Sequence, residues 1–169
     1  MTDQTTMKTS VFENTPCIRC DGTGYIRGYS HVMHGVCFSC GGRGYHLTKR
    51  GAAAREHFDA AIARRADELV AGEIVWYDRF CANGSASQWV RAKVVSIEPD
   101  ELNVGRLRIE LYRRSAGKGT DYDLPCVTYG CFPDTTFKSA DPAITGPARD
   151  AAIAYQATLT KAGTVRKRI

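Results

Sequence analysis

Two stretches of the sequence, CIRCDGTGY at residues 17–25 and CFSCGGRGY at residues 37–45, repeat the pattern C-x-x-C-x-G-x-G-Y. A C-x-x-C turn directs two sulfurs towards one point, so two such turns can supply the four thiolates of a tetrahedral zinc site. Because one copy supplies two ligands, two copies complete a site and a third is not needed. The pattern therefore predicts one structural zinc ion held by four cysteines: Cys17, Cys20, Cys37 and Cys40.

Glycines follow each cysteine pair at the same two positions. Glycine adopts positive φ at little steric cost, so the chain can curl until its amides face the sulfurs. Amide N–H groups directed at thiolates spread the negative charge of a four-sulfur site. We therefore expect the amides of four glycines to face the sulfurs that bind zinc: Gly22, Gly24, Gly42 and Gly44.

The cysteine pairs have other interpretations. They could form two disulfides, but disulfides suit an oxidising compartment, and the polar N-terminus lacks the apolar middle region of a signal peptide. A redox C-x-x-C would be expected beside a βαβ pattern, which is missing here. His31 and His34 lie between the pairs and could each replace a thiolate ligand. The repeat favours zinc bound by four thiolates.

The repeat C-x-x-C-x-G-x-G resembles the cysteine-rich zinc region of the DnaJ (Hsp40) co-chaperones, and residues 17–45 match that pattern at every defining position. The DnaJ family carries four copies and two zinc ions, whereas this chain has two copies. The resemblance therefore implies one zinc ion and a surface that binds peptides or proteins. Because the sequence has neither the His-Pro-Asp tripeptide of a J-domain nor a Gly/Phe-rich linker, co-chaperone activity with Hsp70 is not implied.

The composition limits the class of protein. A chain of 169 residues with a formal net charge of +5 can form one or two domains and can bind an acidic partner. No apolar run approaches the ~20 residues of a membrane span, so we expect a cytoplasmic protein without a membrane partner.

No paired-carboxylate, phosphate-loop, triad or dinucleotide motif is present, and four thiolates leave zinc no open position for water. We therefore expect a protein that is not an enzyme.

The whole chain predicts an α+β fold with helices on either side of a small antiparallel β-barrel of the SH3-like kind. The expected order of segments is a flexible N-terminus (1–14), a zinc hairpin clasp (15–46), a long connecting helix (47–72), the small β-barrel (73–140), and a C-terminal helix with a basic tail (141–169).

Local patterns place the helices and strands. The alanine-rich, proline-free connecting segment predicts a helix over about 50–71, with Thr48 as N-cap and Gly72 beyond its end. Pro147 suits the first turn of a second helix, expected over about 147–161. Between the helices, alternating apolar residues and turn signals predict strands over 73–80, 88–98, 106–114 and, in one or two pieces, 122–132.

Basic side chains cluster beside the clasp and on the predicted strands. They permit contacts with DNA or RNA, whereas the resemblance favours a protein partner or an unfolded polypeptide; ordinary solvated faces would show the same charges. The candidate contacts for a partner or a phosphate are Arg43, Lys49, Arg50, Arg55, Arg91, Lys93, Arg106 and Arg108.

The predicted strands also carry aromatic and cysteine residues. The aromatics could line a shallow binding site or fill the core, as aromatics commonly do in small β-proteins; they are Trp76, Tyr77, Trp89, Tyr112 and Tyr129. Unpaired cysteine commonly behaves as a small buried hydrophobe, which is our expectation for Cys81, Cys126 and Cys131.

Overall fold

The computed structural model describes residues 10–79, 88–114 and 122–164. Two compact units divide the chain. Unit 1 comprises the described residues of Met1–Phe58 and Asp150–Ile169, and unit 2 comprises those of Asp59–Arg149. The predicted turn at 81–87, with Cys81, and most of the predicted basic tail lie outside the described residues.

In unit 1, a short antiparallel pair of strands brackets the two cysteine repeats. Strand β1 (Asn14–Pro16) pairs with β2 (Tyr45–Leu47), so the chain leaves the clasp beside the point where it entered. Helix α1 (Lys49–Ala61) follows at once. Its N-cap is Thr48, as predicted, since the Thr48 hydroxyl accepts a hydrogen bond from the amide of Gly51 at 3.1 Å.

A small apolar core holds the first helix of unit 1 to the end of the chain. Phe12, Ala54 and Ala152 are buried together, although they are far apart in sequence. The amide of Glu13 donates to the side-chain oxygen of Gln156 at 2.8 Å. Gly51 faces this region, where a side-chain Cβ would clash with the Glu13 carbonyl. These contacts place the N-terminal segment and the second half of the last helix, from Asp150 onwards, in one unit.

Unit 2 is built on an open antiparallel sheet of six strands in the order β3-β8-β4-β5-β6-β7. Its strands are β3 (Ala63–Arg65), β4 (Ile74–Arg79), β5 (Gln88–Pro99), β6 (Leu107–Arg114), β7 (Tyr122–Cys131) and β8 (Thr136–Ser139). The antiparallel strands are confirmed, but the closed barrel is wrong. Among the described residues the edge strands β3 and β7 do not pair with each other, so the sheet has two free edges.

One face of this sheet forms the core of unit 2. Side chains from the central strands and from the segment before β4 are buried against one another: Ala66, Leu69, Val75, Tyr77, Ala92, Val94, Ile109, Leu111, Cys131 and Phe137. Cys131 is therefore a buried hydrophobe, as expected. Alternate residues of each strand point to opposite faces, so the residues between the buried ones, such as Arg91 and Lys93 of β5, lie on the other face, where these two are exposed.

The prediction of a helix over 50–71 is wrong in its second half, because α1 ends at Ala61. The next residues form β3, which pairs with β8 through Ala63 and Lys138. The amide of Ala66 then donates to the carbonyl of Thr135 at 2.9 Å. The apolar residues after Ala61 that suggested a helix face instead fill the core of the sheet, so tertiary pairing overrides helix propensity here.

The C-terminal helix is real but starts earlier than expected. Helix α2 spans Pro142–Thr158, with Pro142 rather than Pro147 in its first turn. Asp141 is the N-cap, since its side chain accepts a hydrogen bond from the amide of Ala143 at 2.8 Å. Within the part of the chain that is described, neither helix combines the length and apolar character that a membrane crossing requires.

Candidate metal centre

The four cysteines of the repeats come together at one buried point. Their sulfurs all lie within 4.8 Å of one another, and each cysteine is almost completely buried. The sulfurs of Cys17 and Cys37 are 3.9 Å apart, and those of Cys20 and Cys40 are 3.8 Å apart. A Zn–S distance of about 2.3 Å places the sulfurs of a tetrahedral site about 3.8 Å apart. The cluster can therefore hold one metal ion.

The sulfur–sulfur distances also distinguish a metal site from a pair of disulfides. A disulfide bond holds its sulfurs about 2 Å apart, whereas all four cysteines here are free thiols. His31 and His34 are exposed and are not members of the cluster. Within the described residues, the atoms of the cluster that could bind a metal are therefore the sulfurs of four thiols. In their thiolate form they prefer soft metal ions such as zinc.

The two repeats hold each other through reciprocal backbone hydrogen bonds. The amide of Cys17 donates to the carbonyl of Gly44 at 2.8 Å, and the amide of Cys37 donates to the carbonyl of Gly24 at 2.9 Å. The first cysteine of each repeat is thus fixed by the last glycine of the other. This exchange gives the clasp an approximate twofold symmetry and makes each half depend on the other.

The amides of the two glycines in each repeat donate to different acceptors. The amides of Gly24 and Gly44 donate to the sulfurs of Cys20 and Cys40, each at 3.2 Å. Those of the earlier pair, Gly22 and Gly42, donate instead to cysteine carbonyls. All four residues have positive φ, between 75° and 81°.

Gly24 has a further constraint besides its positive φ. A Cβ at this position would clash with the carbonyl of Gly42, so the close approach of the two repeats requires glycine. The second glycine of each repeat, Gly24 or Gly44, donates directly to a sulfur, as predicted.

The thiols of the cluster differ in acidity. Burial raises the pKa of Cys17, but hydrogen bonds from the His46 side chain and nearby backbone amides outweigh it, and the pKa falls to about 6. Burial raises the pKa of Cys20 to about 11, although the Gly24 amide opposes the rise. Without a metal, the site therefore keeps a proton on Cys20 at neutral pH, while Cys17 is a thiolate.

His46 was missed by the sequence analysis. It lies in β2, next to Tyr45, and its side chain contacts both the Cys17 thiol and the Ser39 hydroxyl, with 3.3 Å between Nε2 and Oγ. Its position just beyond the second repeat is the one signal that could have found it. Because β1 and β2 pair antiparallel, residues that follow the second repeat return to the start of the first.

The basic residues predicted as partner contacts lie in both units and have different surroundings. In unit 1, the Arg43 side chain donates to the Cys40 carbonyl at 3.0 Å, Arg50 pairs with Glu13, and Lys49 is exposed. These roles of Arg43 and Arg50 are structural. Arg55 lies 5.6 Å from the centre of the Phe58 ring.

In unit 2, two of the predicted arginines lie over aromatic rings. Arg91 is 5.0 Å from the centre of Trp76, and Arg106 is 4.7 Å from the centre of Phe132. Lys93 and Arg108 are exposed.

Apolar side chains project from the clasp next to its clustered cysteines. Ile18, which follows Cys17, is 98% exposed, and Phe38, which follows Cys37, is 55% exposed. They occupy the same position in the two repeats. Exposed apolar residues also occur in the connection between the repeats: Tyr29, Val32, Met33 and Val36.

Comparison with known proteins gives no match to a family model, to a curated protein or to a solved structure. The resemblance to the DnaJ zinc region therefore rests on the two repeats alone. What the fold and the site define together is an α+β protein with a buried four-cysteine cluster that can hold one metal ion.

Proposed function

We propose that the clasp binds one zinc ion and that the ion is structural. The observation that carries this proposal is the buried cluster of four thiols with tetrahedral spacing. Four protein ligands saturate zinc, which then has no position for a water or a substrate. Zinc would neutralise part of the thiolate charge, and the amides of Gly24 and Gly44 would stabilise the rest.

The need for a metal follows from the way in which the clasp is packed. Its buried cluster consists of the four cysteines, with Ile26 as the partly buried apolar neighbour. So small an apolar core cannot offset the conformational entropy of ordering the segment between β1 and β2. Metal binding supplies that free energy, as it does in other small thiolate-zinc modules.

Elemental analysis of the purified protein tests the metal assignment. We expect about one zinc per chain, and we expect the Cys37→Ser variant to lose it because one of the four ligands is gone. Cys131→Ser is the matched control, since Cys131 is buried in the other unit. Wild-type protein without zinc, or Cys37→Ser protein that keeps it, would overturn the assignment.

We further propose that this protein is a non-enzymatic interaction protein that binds a protein partner, chaperone-like, through the clasp. The exposed apolar side chains of Ile18 and Phe38 support this. A zinc-bound clasp would hold these apolar groups in water, and apolar groups that a folded protein leaves exposed together often mark a surface that binds a partner. The DnaJ resemblance favours the same class of partner, an extended or unfolded polypeptide. Zinc would act by holding the two repeats, and therefore these two side chains, in a fixed arrangement.

Fluorescence anisotropy with a labelled, reduced and carboxymethylated polypeptide tests this function. Burying an apolar side chain of this size contributes about 1.5–3 kcal/mol, so the Ile18→Ser/Phe38→Ser double variant should bind at least about tenfold more weakly. Val70→Ser is the matched control, because Val70 is 62% exposed and lies in unit 2. Equal binding by the double variant and the wild type, or no binding by either, would contradict the proposal.

Nucleic-acid binding is the second candidate function. Beside the clasp, Arg43 and Arg50 already hold a carbonyl and a carboxylate, which weakens the case for a phosphate-binding face on α1. The sheet of unit 2 offers a stronger case, because its cations accompany aromatic rings.

A further inference from the structure

The sheet of unit 2 has a second face whose side chains are cationic and aromatic. On β5, Ala92 and Val94 are fully buried, so the intervening Arg91 and Lys93 belong to the opposite face, where both are exposed. We call this opposite face the outer face. The backbone pairings of the strands define which side chains are neighbours on it.

Two rows of cross-strand neighbours alternate cations with apolar or aromatic groups. In the first row, Trp76 of β4 lies between Lys138 of β8 and Arg91 of β5. The second row is formed by Ile74 of β4, Lys93 of β5 and Tyr112 of β6. Directly opposite residues lie about 5 Å apart at their Cβ atoms. Trp76 and Tyr112 are therefore two strands apart and two residues apart along the strands, a separation of about 12 Å, with cations around them.

The rings and cations of the outer face are partly accessible. Trp76 and Tyr112 are half-buried, and the Arg91 guanidinium covers Trp76 at 5.0 Å from the ring centre. A guanidinium held on an indole offers a flat cationic surface on which a base can stack. Lys93 forms no ion pair with any residue that the structure describes.

Two acidic groups near the outer face have partners of their own: Asp59 pairs with Lys138 at 3.0 Å, and Glu110 accepts a hydrogen bond from Ser96. Glu98 lies opposite Arg108 in the β5–β6 pairing. Among the residues that the structure describes, no carboxylate forms an ion pair with Arg91 or Lys93, which lie beside the two rings.

We propose that the outer face binds single-stranded nucleic acid. The charge complementarity is direct, because the face presents cations to a chain of phosphates. The aromatic rings select the single-stranded form, since only unpaired bases can leave their own stack and lie on a protein ring. A protein partner of the clasp would not account for this combination, and the inference does not depend on the proposed role of the clasp.

Fluorescence anisotropy with labelled oligothymidylate, labelled oligouridylate and a labelled duplex of equal length tests the proposal. We expect binding to one or both single strands at low salt and weaker binding to the duplex. Preference between the two single strands identifies DNA or RNA as the natural ligand. Lys93→Gln should lower the slope of log affinity against log salt by about 0.7, because one phosphate contact is lost. Tyr112→Leu should weaken binding at least about fivefold without changing that slope.

Three further variants separate stacking from general charge and from damage to the fold. Tyr112→Phe keeps the ring and should bind like the wild type. Lys161→Gln removes an exposed charge from unit 1 and should change nothing. The Ile18→Ser/Phe38→Ser double variant should also keep full oligonucleotide affinity, so failure here and failure of the clasp function are distinguishable. No binding by the wild type, equal binding of the duplex, or equal losses in Lys161→Gln and Lys93→Gln would overturn the proposal.

Discussion

At the scale of single residues, the four-cysteine cluster depends on a few atoms whose roles differ within one repeat. Cys20 and Cys40 each receive a backbone amide hydrogen bond at the sulfur, whereas the Cys17 sulfur receives a side-chain hydrogen bond from His46 in addition to backbone ones. The sequence could identify the four clustered cysteines because their spacing repeats. It could not identify His46, because the contact arises from the pairing of β1 with β2, which no local pattern encodes.

The first prediction concerns the pH dependence of metal affinity. Metal binding requires thiolates, and Cys20, with its pKa of about 11, must release a proton at neutral pH. Affinity should therefore rise with pH through the neutral range. Below about pH 6 Cys17 is also protonated, so the affinity should fall by a further factor of about ten per pH unit. Chelator competition across a pH series measures both regions.

Removing His46 should move the steep region of this profile. In His46→Ala the hydrogen bond that lowers the Cys17 pKa is lost, so protonation should begin to weaken metal binding at a higher pH. His31→Ala is the control, because His31 is an exposed clasp residue outside the cluster. An unchanged profile for His46→Ala would show that His46 does not set the acidity of Cys17.

The second prediction separates two reasons for glycine in the repeat. Gly24 and Gly41 both have positive φ, but only Gly24 would bring a Cβ into the opposite repeat. Gly41→Ala should lower the free energy of unfolding by about 1–2 kcal/mol, which is the strain of an alanine in the left-handed conformation. Gly24→Ala should lower it by clearly more. Zinc affinity and urea unfolding measure the difference. Equal effects would mean that the close contact of the two repeats does not limit stability.

At the scale of elements, the sequence located both helices and four strands of the large sheet, but it missed the short strands β1, β2, β3 and β8 and several element ends. The alternation in β5 and β6 is visible because one face is buried and the other is not. By contrast, Ile62, Ala66 and Leu69 are apolar at helical spacing, yet none lies in α1. Their burial depends on β8, which lies some 70 residues further along the chain. Closure of a sheet likewise depends on pairing between strands distant in sequence, so local patterns could not show whether the strands close into a barrel.

The third prediction concerns the start of α2. Asp141 caps the helix through its side chain, and its carbonyl accepts a hydrogen bond from the Thr145 amide at 2.8 Å. Asp141→Ala should reduce the free energy of unfolding by about 1 kcal/mol. Glu101→Ala, an exposed acidic residue in the loop between β5 and β6, should change it by less than about 0.5 kcal/mol. Urea denaturation compares the two, and a smaller loss for Asp141→Ala than for Glu101→Ala would contradict the cap.

At the scale of the whole molecule, the two units have different sources of stability. Unit 2 has a buried apolar core along one face of a six-stranded sheet. The clasp of unit 1 has little buried apolar surface besides its cysteines. The composition of the chain could not show this division, because it averages a cysteine-rich segment that has a small apolar core with a conventional β-sheet core.

The fourth prediction is that chelation affects the two units unequally. Adding a strong chelator should remove amide hydrogen-exchange protection from the clasp, including the Cys17 and Cys37 amides that bond across the repeats. The amides that join β5 to β6 should remain protected, because the core of that sheet contains no metal ligand. Loss of protection in both units at the same chelator concentration would show that zinc supports the entire fold.

The discontinuous path of unit 1 has a consequence for biosynthesis. Both cysteine repeats are translated before Ala152 and Gln156, which complete the contacts of Phe12 and Glu13. We therefore expect nascent chains to capture metal first and to keep Phe12 accessible to chaperones until α2 emerges. Chains stalled before residue 150 would display this intermediate: loaded with zinc, yet still sensitive to proteases around Phe12.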